Sequence, residues 1–452
     1  MKPWLAANLM FYPATRVAGE RVRAHLREYC AHDKLTRETL FRIQQQALAR
    51  VVDFACEQTT HYRSWNDTRS GPSSVYPTLD GVPLLEKSLI RDHPGVLASQ
   101  GGQRFVEHKT TSGSTGHPVT VAKDRDALAR ERAATWRAYG WAGLAVAAPQ
   151  ALLWGVPHTA RGRLRARVID ILANRRRLPF FGIDEASLQR HLEEVQRFRP
   201  HFLYGYVSAV AEFVRFLTDR GERLPDSLRC IITTSELLDP ATRALIEEGT
   251  GLRVFNEYGC GEVGSIAHEC EAGALHIMSD NLVLECLPGD GVLPEGLGEL
   301  VVTDLYNRAM PLLRYRLGDL GQISHRECAC GRPYPILERI VGRAYDTIVT
   351  RSGKSYHPEA ILYVFEDLRR MQTALPRYQA IQYRAGELEI RFETPEPLSE
   401  HLKAFTTQAF RRSFGDDLSV EVYTTREIQR EPSGKLRIVK RIEKERMKPA
   451  PS

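Results

Sequence analysis

The 452-residue sequence contains no apolar run long enough to cross a bilayer, so it predicts no transmembrane segment. It also has little excess charge, because 62 basic and 56 acidic residues leave a net charge of only +6. That mild excess does not indicate nucleic-acid binding, but it suits a site that holds anions such as ATP. One basic residue and a short, Pro-interrupted apolar stretch open the chain, so we expect no signal peptide and a cytoplasmic location.

Cysteine is scarce, and internal repeats are absent. Eight cysteines in a chain of this length, in a reducing compartment, are expected to be free thiols or metal ligands rather than disulfides. The length exceeds that of one ordinary core and predicts two or three domains.

The densest positive charge lies between Arg161 and Arg177, a segment that holds seven arginines. We favour a solvated helical face for this segment. The alternative is a docking patch for an anionic acceptor, such as coenzyme A or an acidic carrier protein.

Short apolar runs alternate with helical segments through most of the chain, which predicts layers of α/β structure with a largely parallel sheet. The predicted helices are 36–58, 124–139, 186–198 and 206–219, and the predicted strands are Ala151–Val156, Cys230–Thr234, Arg253–Asn256 and Glu299–Thr303. From Leu275 to Leu317, strands separated by Gly/Pro turns predict a β-rich subdomain. The expected fold class is therefore α/β, with a large N-terminal domain over residues 1–341.

The remaining residues, 342–452, predict a small α+β domain of near-modal size. The elements expected in it are a hairpin over Asp346–Ser355, helices near 358–370 and 399–413, and strands near 378–384, 387–393 and 419–424. We expect the domain boundary near Gly342–Asp346.

Hydroxyls and glycines alternate in the segment Thr110-Thr111-Ser112-Gly113-Ser114-Thr115-Gly116-His117-Pro118. Glycines let the backbone turn its N–H groups around an anion, and the hydroxyls add donors, so the segment suits a polyphosphate. It lacks the G-K-[ST] ending of a Walker loop. The alternative is a polar surface turn.

Four further motifs follow along the chain. Their order and spacing together are specific, although each motif alone is not. They are Tyr258-Gly259-Cys260-Gly261-Glu262, Tyr315-Arg316-Leu317-Gly318-Asp319-Leu320, Gly342-Arg343-Ala344-Tyr345-Asp346 and Pro432-Ser433-Gly434-Lys435-Leu436-Arg437. Together with the first, over about residues 36–441, they resemble the adenylate-forming superfamily of acyl-CoA synthetases. The length, Leu203-Tyr204-Gly205-Tyr206 and the Cys-x-Cys-Gly-Arg run at 328–332 resemble its phenylacetate-CoA ligase branch, including capsule-cluster relatives.

The resemblance implies that residues 1–341 bind ATP, Mg²⁺ and a carboxylic acid, and that 342–452 form a mobile lid carrying a catalytic lysine. The implied ATP-binding residues are Thr111, Ser112, Gly113, Ser114, Thr115, Gly116, Ser235, Glu236, Glu257, Tyr258, Gly259 and Asp319. The implied catalytic residues are Lys435, Arg343 and Glu262, the last as a magnesium ligand. The candidates for the acyl pocket are Tyr204, Tyr206 and Cys260.

Both reactants are anions, so positive charge and positioning matter more than a nucleophile. Lys435 would bridge the acid and the α-phosphate, and Arg343 would reach the ribose or phosphates. Each assignment has a plainer alternative. Glu262 would be an ordinary surface carboxylate, Asp319 would cap a turn, and Lys435 would sit idle in a flexible loop.

The resemblance also implies that the small domain rotates between two half-reactions, about a hinge at Arg343–Asp346. Two positions depart from the common pattern. His117 stands where many relatives have lysine, so we expect weaker ATP binding unless Lys123 compensates. Tyr345 replaces the usual acidic hinge residue, with Asp346 beside it.

Cys270-x5-His276 and Cys328-x-Cys330 supply three thiolates and an imidazole, the number and softness of ligands that structural zinc prefers. The two pairs flank the predicted β-rich segment, so a zinc ion would join its ends. His268 or His325 is an alternative to His276, and four unlinked residues are the alternative to a site.

Three functions remain open from the sequence. The first is an acid–thiol ligase that makes acyl-CoA, AMP and pyrophosphate from an acid, ATP and coenzyme A. The second is an adenylating enzyme that loads a carrier protein or an amine, or adenylylates a cofactor. The third is a catalytically silent nucleotide-binding or interaction protein, against which Glu262, Asp319 and Lys435 argue.

Overall fold

The computed structural model describes the chain in segments. These are residues 1–68, 79, 81–101, 106–110, 119–155, 160–180, 184–236, 238, 240–287, 293, 295–341, 348–356, 360–361, 364–365, 368, 375–428 and 439–441. The segment 111–118, the predicted boundary 342–346 with Arg343, and Lys435 lie outside the described residues, as does most of the helix predicted near 358–370.

Helices occur throughout the described residues. They are α1 (Pro3–Ala6), α2 (Tyr12–Val17), α3 (Val22–His32), α4 (Arg37–Gln58), α5 (Thr60–Thr68), α6 (Lys87–Asp92), α7 (Pro94–Leu97), α8 (Arg125–Trp141), α9 (Ala160–Leu172), α10 (Glu185–Phe198), α11 (Val207–Arg220), α12 (Pro240–Thr250) and α13 (Glu400–Phe414). A π-helical turn over Ala7–Phe11 joins the first two.

The strands belong to four sheets. They are β1 (Val106–Thr110), β2 (Thr120–Asp124), β3 (Gln150–Trp154), β4 (Arg175–Pro179), β5 (Phe202–Tyr206), β6 (Cys230–Thr234), β7 (Arg253–Cys260), β8 (Gly264–Glu269), β9 (Leu275–Ile277), β10 (Leu282–Leu287), β11 (Gly296–Asp304), β12 (Tyr315–Ser324), β13 (Ile336–Val341), β14 (Ile348–Val349), β15 (Ser355–Tyr356), β16 (Arg377–Arg384), β17 (Glu387–Glu393), β18 (Ser419–Thr425) and β19 (Val439–Arg441).

One eleven-stranded sheet dominates, in the order β10-β11-β12-β13-β9-β8-β7-β6-β5-β3-β4. Strands β4, β3, β5, β6 and β7 are parallel, whereas the strands from β7 to β10 along the sheet pair antiparallel. All five residues of β6 are buried, as expected for a parallel strand covered on both faces. The α/β prediction is confirmed, and the β-rich segment continues the parallel sheet.

Side-chain caps explain where several predicted helices begin. Thr36 accepts a hydrogen bond from the N–H of Thr39 at the start of α4, and Asp124 does the same for Ala127 at the start of α8. The strand predicted over Arg253–Asn256 is longer than expected, because its pairing with β8 carries it on to Cys260.

The basic segment divides into two parts. Arg161, Arg163, Arg165 and Arg167 are exposed on α9, which confirms the solvated face there. Arg175 and Arg177 on β4 instead bind the carboxylate of Asp170 at the end of α9.

The C-terminal residues have a core of their own. A four-stranded sheet in the order β18-β17-β16-β19 packs with α13 and the β14–β15 hairpin. Phe365, Tyr378 and Phe410 lie in this core, and the rings of Phe365 and Tyr378 stack with centroids 3.5 Å apart. The predicted hairpin, the three predicted strands and the helix near 399–413 are therefore present, whereas most of the helix predicted near 358–370 lies outside the described residues. Across the described part of the chain, no helix combines the length and apolarity that crossing a membrane would need.

Candidate active site

A cavity of about 930 Å³ lies on one face of the parallel strands, enclosed by α2, α8 and α9. Gln150, Leu152 and Trp154 line it from β3, because residues two apart on a strand share a face. Tyr204 lines it from β5. The cavity reaches Ser235, which follows β6, and the turn after β7.

The Tyr258 and Asp319 motifs meet beside this cavity. The hydroxyl of Tyr258 donates a hydrogen bond to Oδ2 of Asp319, with an oxygen–oxygen distance of 2.9 Å. Both side chains are partly buried. Two residues that were predicted to contact the nucleoside therefore lie side by side.

An irregularity in β12 places Asp319. Glu299 pairs with Leu320 and Val301 pairs with Arg316, so three residues of β12 lie opposite Leu300 alone. Gly318 lies within this bulge at φ +75°, a left-handed conformation that favours glycine. Bulges of this kind redirect side chains beside functional sites, which agrees with the position of Asp319.

The motif at 258–262 also requires a glycine, at residue 259, but here the reason is a close approach between two strands. A Cβ atom on Gly259 would lie 2.5 Å from the carbonyl oxygen of Gly264. Any side chain at residue 259 would therefore push β7 and β8 apart. This close approach forms the turn that holds Glu262.

Glu262 is buried, with only 3% of its surface exposed, so the surface-carboxylate alternative is wrong. Its Oε1 accepts a hydrogen bond of 2.8 Å from the hydroxyl of Tyr315 and lies 3.1 Å from Nζ of Lys87. Burial acts to raise the pKa of Glu262, but the Lys87 ammonium and the Tyr315 hydroxyl outweigh it and lower the pKa. Glu262 is thus held ionised, the state that a magnesium ligand requires.

Two lysines flank the segment 111–118 on the paired strands β1 and β2. The ammonium groups of Lys109 and Lys123 both bind the buried carboxylate of Glu131 on α8. Burial lowers the pKa of each lysine to about 8. Lys123 is fully buried and paired with Glu131. Its position therefore argues against the idea that Lys123 replaces the phosphate-binding charge that His117 lacks.

The residues around β6 have separate roles. Glu236 accepts hydrogen bonds from the N–H of Ser208, at 2.6 Å, and from its hydroxyl, at 3.0 Å, and so caps the start of α11. Ser235 has φ +68°, an unusual value for a residue other than glycine, and it lines the cavity.

Of the three candidates for the acyl pocket, two line the cavity and one does not. Tyr204 and Cys260 line the cavity, and burial raises the pKa of the Cys260 thiol. Tyr206 is instead fully buried in the core, where its ring stacks on Trp154 with centroids 4.0 Å apart.

Glu257 lies in the cavity wall near Tyr204 and Tyr139. Its neighbour Tyr258 instead packs against the hydrophobic core on the other side of the sheet, because successive residues of a strand face opposite sides. The structure therefore places Glu257 and Tyr258 on opposite faces of β7, although both were predicted to bind ATP.

The four predicted zinc ligands come together. The ligand atoms of Cys270, His276, Cys328 and Cys330 all lie within 4.8 Å of one another. The Sγ atoms of Cys270 and Cys328 are 3.7 Å apart, close to the separation of about 3.8 Å that two thiolates have on tetrahedral zinc.

His276 is oriented for the same site. Its Nδ1 lies 3.1 Å from the carbonyl oxygen of Tyr334, which can only accept, so Nδ1 carries the proton. Nε2 then presents its lone pair toward Sγ of Cys330, 3.1 Å away. His268 lies outside this cluster and packs against Tyr139.

Sequence reasoning missed Lys87, Glu131, Tyr139 and Trp154. No local pattern marks them, because each reaches the site from a distant part of the chain. The alternation of side chains along β7 was a usable signal for separating Glu257 from Tyr258.

Comparisons with known proteins agree with this arrangement, although no family model matches the sequence. The chain is 29% identical over 388 residues to a phenylacetate-coenzyme A ligase of Thermus thermophilus, covering 81% of this chain and 84% of the relative. It is 23% identical over 318 residues to protein CapK of Staphylococcus aureus, covering 69% and 70%.

Among solved structures, 2-hydroxyisobutyryl-CoA ligase in complex with 2-HIB-AMP and CoA matches 91% of each chain, with a TM-score of 0.60 and 21% identity. The fold is therefore that of the adenylate-forming ligases, as the order of the motifs predicted. The curated relatives confirm the resemblance to phenylacetate-CoA ligases and to a capsule-cluster protein.

Proposed function

We propose that the protein activates a carboxylic acid with ATP to an acyl-adenylate and then transfers the acyl group to a thiol, coenzyme A. AMP and pyrophosphate are released. The observation that carries the proposal is the hydrogen bond between Tyr258 and Asp319, which joins two separate motifs beside a large cavity. A nucleoside bound at this pair would place its phosphates toward Glu262 and an acid in the cavity.

The chemistry needs charge and positioning, because a carboxylate must attack the α-phosphorus of another anion. Glu262 is buried and held ionised, so it suits Mg²⁺, which would screen the phosphate charge. Residues 111–116 would hold the leaving phosphates. Lys435 would bring positive charge to the reacting carboxylate, and Arg343 would contact the ribose or phosphates. A cytoplasmic location, where ATP and coenzyme A are available, is part of the proposal.

Structural zinc is a second part of the proposal. Three thiols and an imidazole cluster at distances that suit tetrahedral coordination. Four protein ligands leave no position for a substrate, so the ion would only join the β8–β9 and β12–β13 connections. The metal would stabilise the fold and take no part in the reaction.

The relatives support coenzyme A as the acceptor, since phenylacetate-coenzyme A ligase is the name of the relative with the longer match. Loading of a carrier protein or an amine, or adenylylation of a cofactor, remains the second candidate, favoured by the likeness to CapK. Both candidates share the first half-reaction.

Pyrophosphate exchange tests the proposal directly. A panel of aryl, amino and fatty acids should contain at least one acid that supports exchange between labelled pyrophosphate and ATP. Lys435→Ala should abolish this exchange, yet retain transfer from a supplied acyl-adenylate to coenzyme A. Exchange with no acid, together with no difference between the wild-type protein and Lys435→Ala, would favour a silent nucleotide-binding protein. Exchange that persists unaltered in Lys435→Ala would leave the enzyme assignment standing and overturn only the role of Lys435. Adding coenzyme A or a carrier protein then identifies the acceptor.

A further inference from the structure

We propose that Glu257 makes the enzyme selective for acids that carry a hydrogen-bond donor, a hydroxyl or amino group, on the part of the molecule remote from the reacting carboxylate. The inference rests on the proposed function, because it names the class of acid that the same cavity takes. It assigns Glu257 to recognition of the acid and not of the nucleotide.

The first argument is the position of the carboxyl group. Glu257 is paired with Thr234 on one side and His268 on the other, so β7 holds it firmly in the sheet. Its side chain forms part of the cavity wall and is only 8% exposed. A substrate in the cavity would meet this carboxyl from the side opposite Tyr258.

The second argument is an unmet hydrogen bond. Oε2 of Glu257 is buried and forms no hydrogen bond of normal geometry with the described residues, and the same holds for Oγ of Ser265 in the same wall. The hydroxyls of Ser265, Tyr204 and Tyr139 lie close enough to favour the ionised carboxyl, but they leave this oxygen without a well-formed hydrogen bond. A buried polar atom left unpaired carries the unfavourable cost of its lost hydration. A donor on the acid would remove that cost, whereas an apolar acid would leave it in place.

The surroundings favour a flat ligand. Trp136, Tyr139, Trp154 and Tyr204 line the cavity, and the rings of Tyr139 and Tyr204 lie 6.2 Å apart. Aromatic walls contact a planar ring over a large area. An aryl acid with a ring hydroxyl or amino group satisfies both the aromatic walls and the carboxyl.

The ionisation of Glu257 agrees with this role. Burial raises its pKa to about 7, while the nearby hydroxyls of Ser265, Tyr204 and Tyr139 act in the opposite direction. Near neutral pH the carboxyl is thus either an acceptor or a neutral group that still has acceptor oxygens, and both forms receive a donor.

The test measures kcat/KM for pyrophosphate exchange with matched acids: phenylacetate and its 3-hydroxy, 4-hydroxy and 4-amino derivatives, with 4-fluoro and 4-methyl derivatives as acids of similar size without a donor. We expect at least one donor-bearing acid to exceed its fluoro and methyl counterparts by about tenfold or more, since sites built around a polar contact reject analogues that lack it. Glu257→Leu should bring that ratio close to one without changing KM for ATP.

Glu212→Leu is the matched control. Glu212 is a glutamate whose pKa burial likewise raises to about 7, but it lies on α11 and does not line the cavity. Its substitution should leave the ratio unchanged. Should Glu257→Leu fail to fold, Glu257→Met retains the length of the side chain without an acceptor oxygen, and its weakened binding of the preferred acid can be followed by calorimetry.

The outcomes separate the two proposals. If no acid in the wider panel of aryl, amino and fatty acids supports exchange in the wild-type protein, the proposed function fails. If other acids support exchange but none of the phenylacetates does, only the inference about Glu257 fails. If acids are activated but donor-bearing ones have no advantage, or if the advantage survives in Glu257→Leu, only the assignment of Glu257 is overturned.

Discussion

The hydroxyl of Tyr258 on β7 donates to the carboxylate of Asp319 on β12, across a sheet in which these strands are not neighbours. The bulge around Gly318 makes this contact possible. If the pair holds the nucleoside, Tyr258→Phe removes one hydrogen bond that fixes Asp319. We expect KM for ATP to rise about two- to tenfold, and further in Asp319→Ala, as measured by pyrophosphate exchange.

KM for the acid serves as the internal control for these two variants. It should stay near the wild-type value if the acid binds in the cavity, because Tyr258 lies on the opposite face of β7 from the cavity wall. A normal KM for ATP in both variants, together with a lowered melting temperature, would mean that the pair is purely structural.

The carboxylate of Glu131 binds both Lys109 and Lys123. Glu131→Gln would leave two cationic groups with lowered pKa values facing a neutral side chain. Breaking a buried ion pair from one side destabilises proteins by about 3–5 kcal/mol, so we expect a loss of that order in urea unfolding.

Glu107 offers a comparison for that measurement. It pairs with Arg165 at 3.8 Å, and both side chains are well exposed. Glu107→Gln should therefore change stability by less than about 1 kcal/mol. Equal losses in the two variants would show that the buried charge of Glu131 has no special importance.

The fold was largely predictable because its signals are local. Strand β6 was predicted with its observed ends, since Cys230–Thr234 is a short apolar and β-branched run. Helix α8 was anticipated from its cap at Asp124. The clustering of Cys270 and His276 with Cys328 and Cys330 was also predicted, because metal ligands can be recognised from residue type and spacing.

The rest of the site depends on contacts between distant segments. Lys87 forms an ion pair with Glu262, and Glu131 forms ion pairs with two lysines. The sequence around Lys87 and around Glu131 gives no sign of these contacts. Glu257 was grouped with the nucleotide-binding residues and directly precedes Tyr258, the first residue of its motif. The two side chains point to opposite faces of the sheet because they are successive residues of strand β7, which the motif alone does not indicate.

Zinc can be tested independently of activity. Protein purified without chelators should contain about one zinc per chain by elemental analysis, and a strong chelator should lower its melting temperature. Cys330→Ser should lose the metal, because it removes one of four ligands. Cys286→Ser is the matched control, since Cys286 is a buried thiol outside the cluster. Absence of zinc from the wild-type protein would end this proposal.

The raised pKa of Glu257 makes a prediction about stability and pH. Between its ordinary pKa of 4.5 and the folded value of about 7, the folded protein binds this proton more tightly than the unfolded chain does. The contribution of Glu257 to stability therefore declines as pH rises through that window. Glu257→Gln cannot ionise, so relative to wild type it should gain about 1–3 kcal/mol of stability between pH 4 and pH 8 in denaturant unfolding.

Glu212→Gln should follow the same trend, because burial raises the pKa of Glu212 to about 7 as well. The two variants then differ only in their substrate preference, which Glu257 alone should alter. A stability difference between Glu257→Gln and wild type that is the same at pH 4 and pH 8 would mean that the carboxyl of Glu257 ionises normally. In that case its burial in the cavity wall would be relieved by water or by a neighbouring group, and the case for a donor on the acid would lose the unpaired oxygen on which it depends.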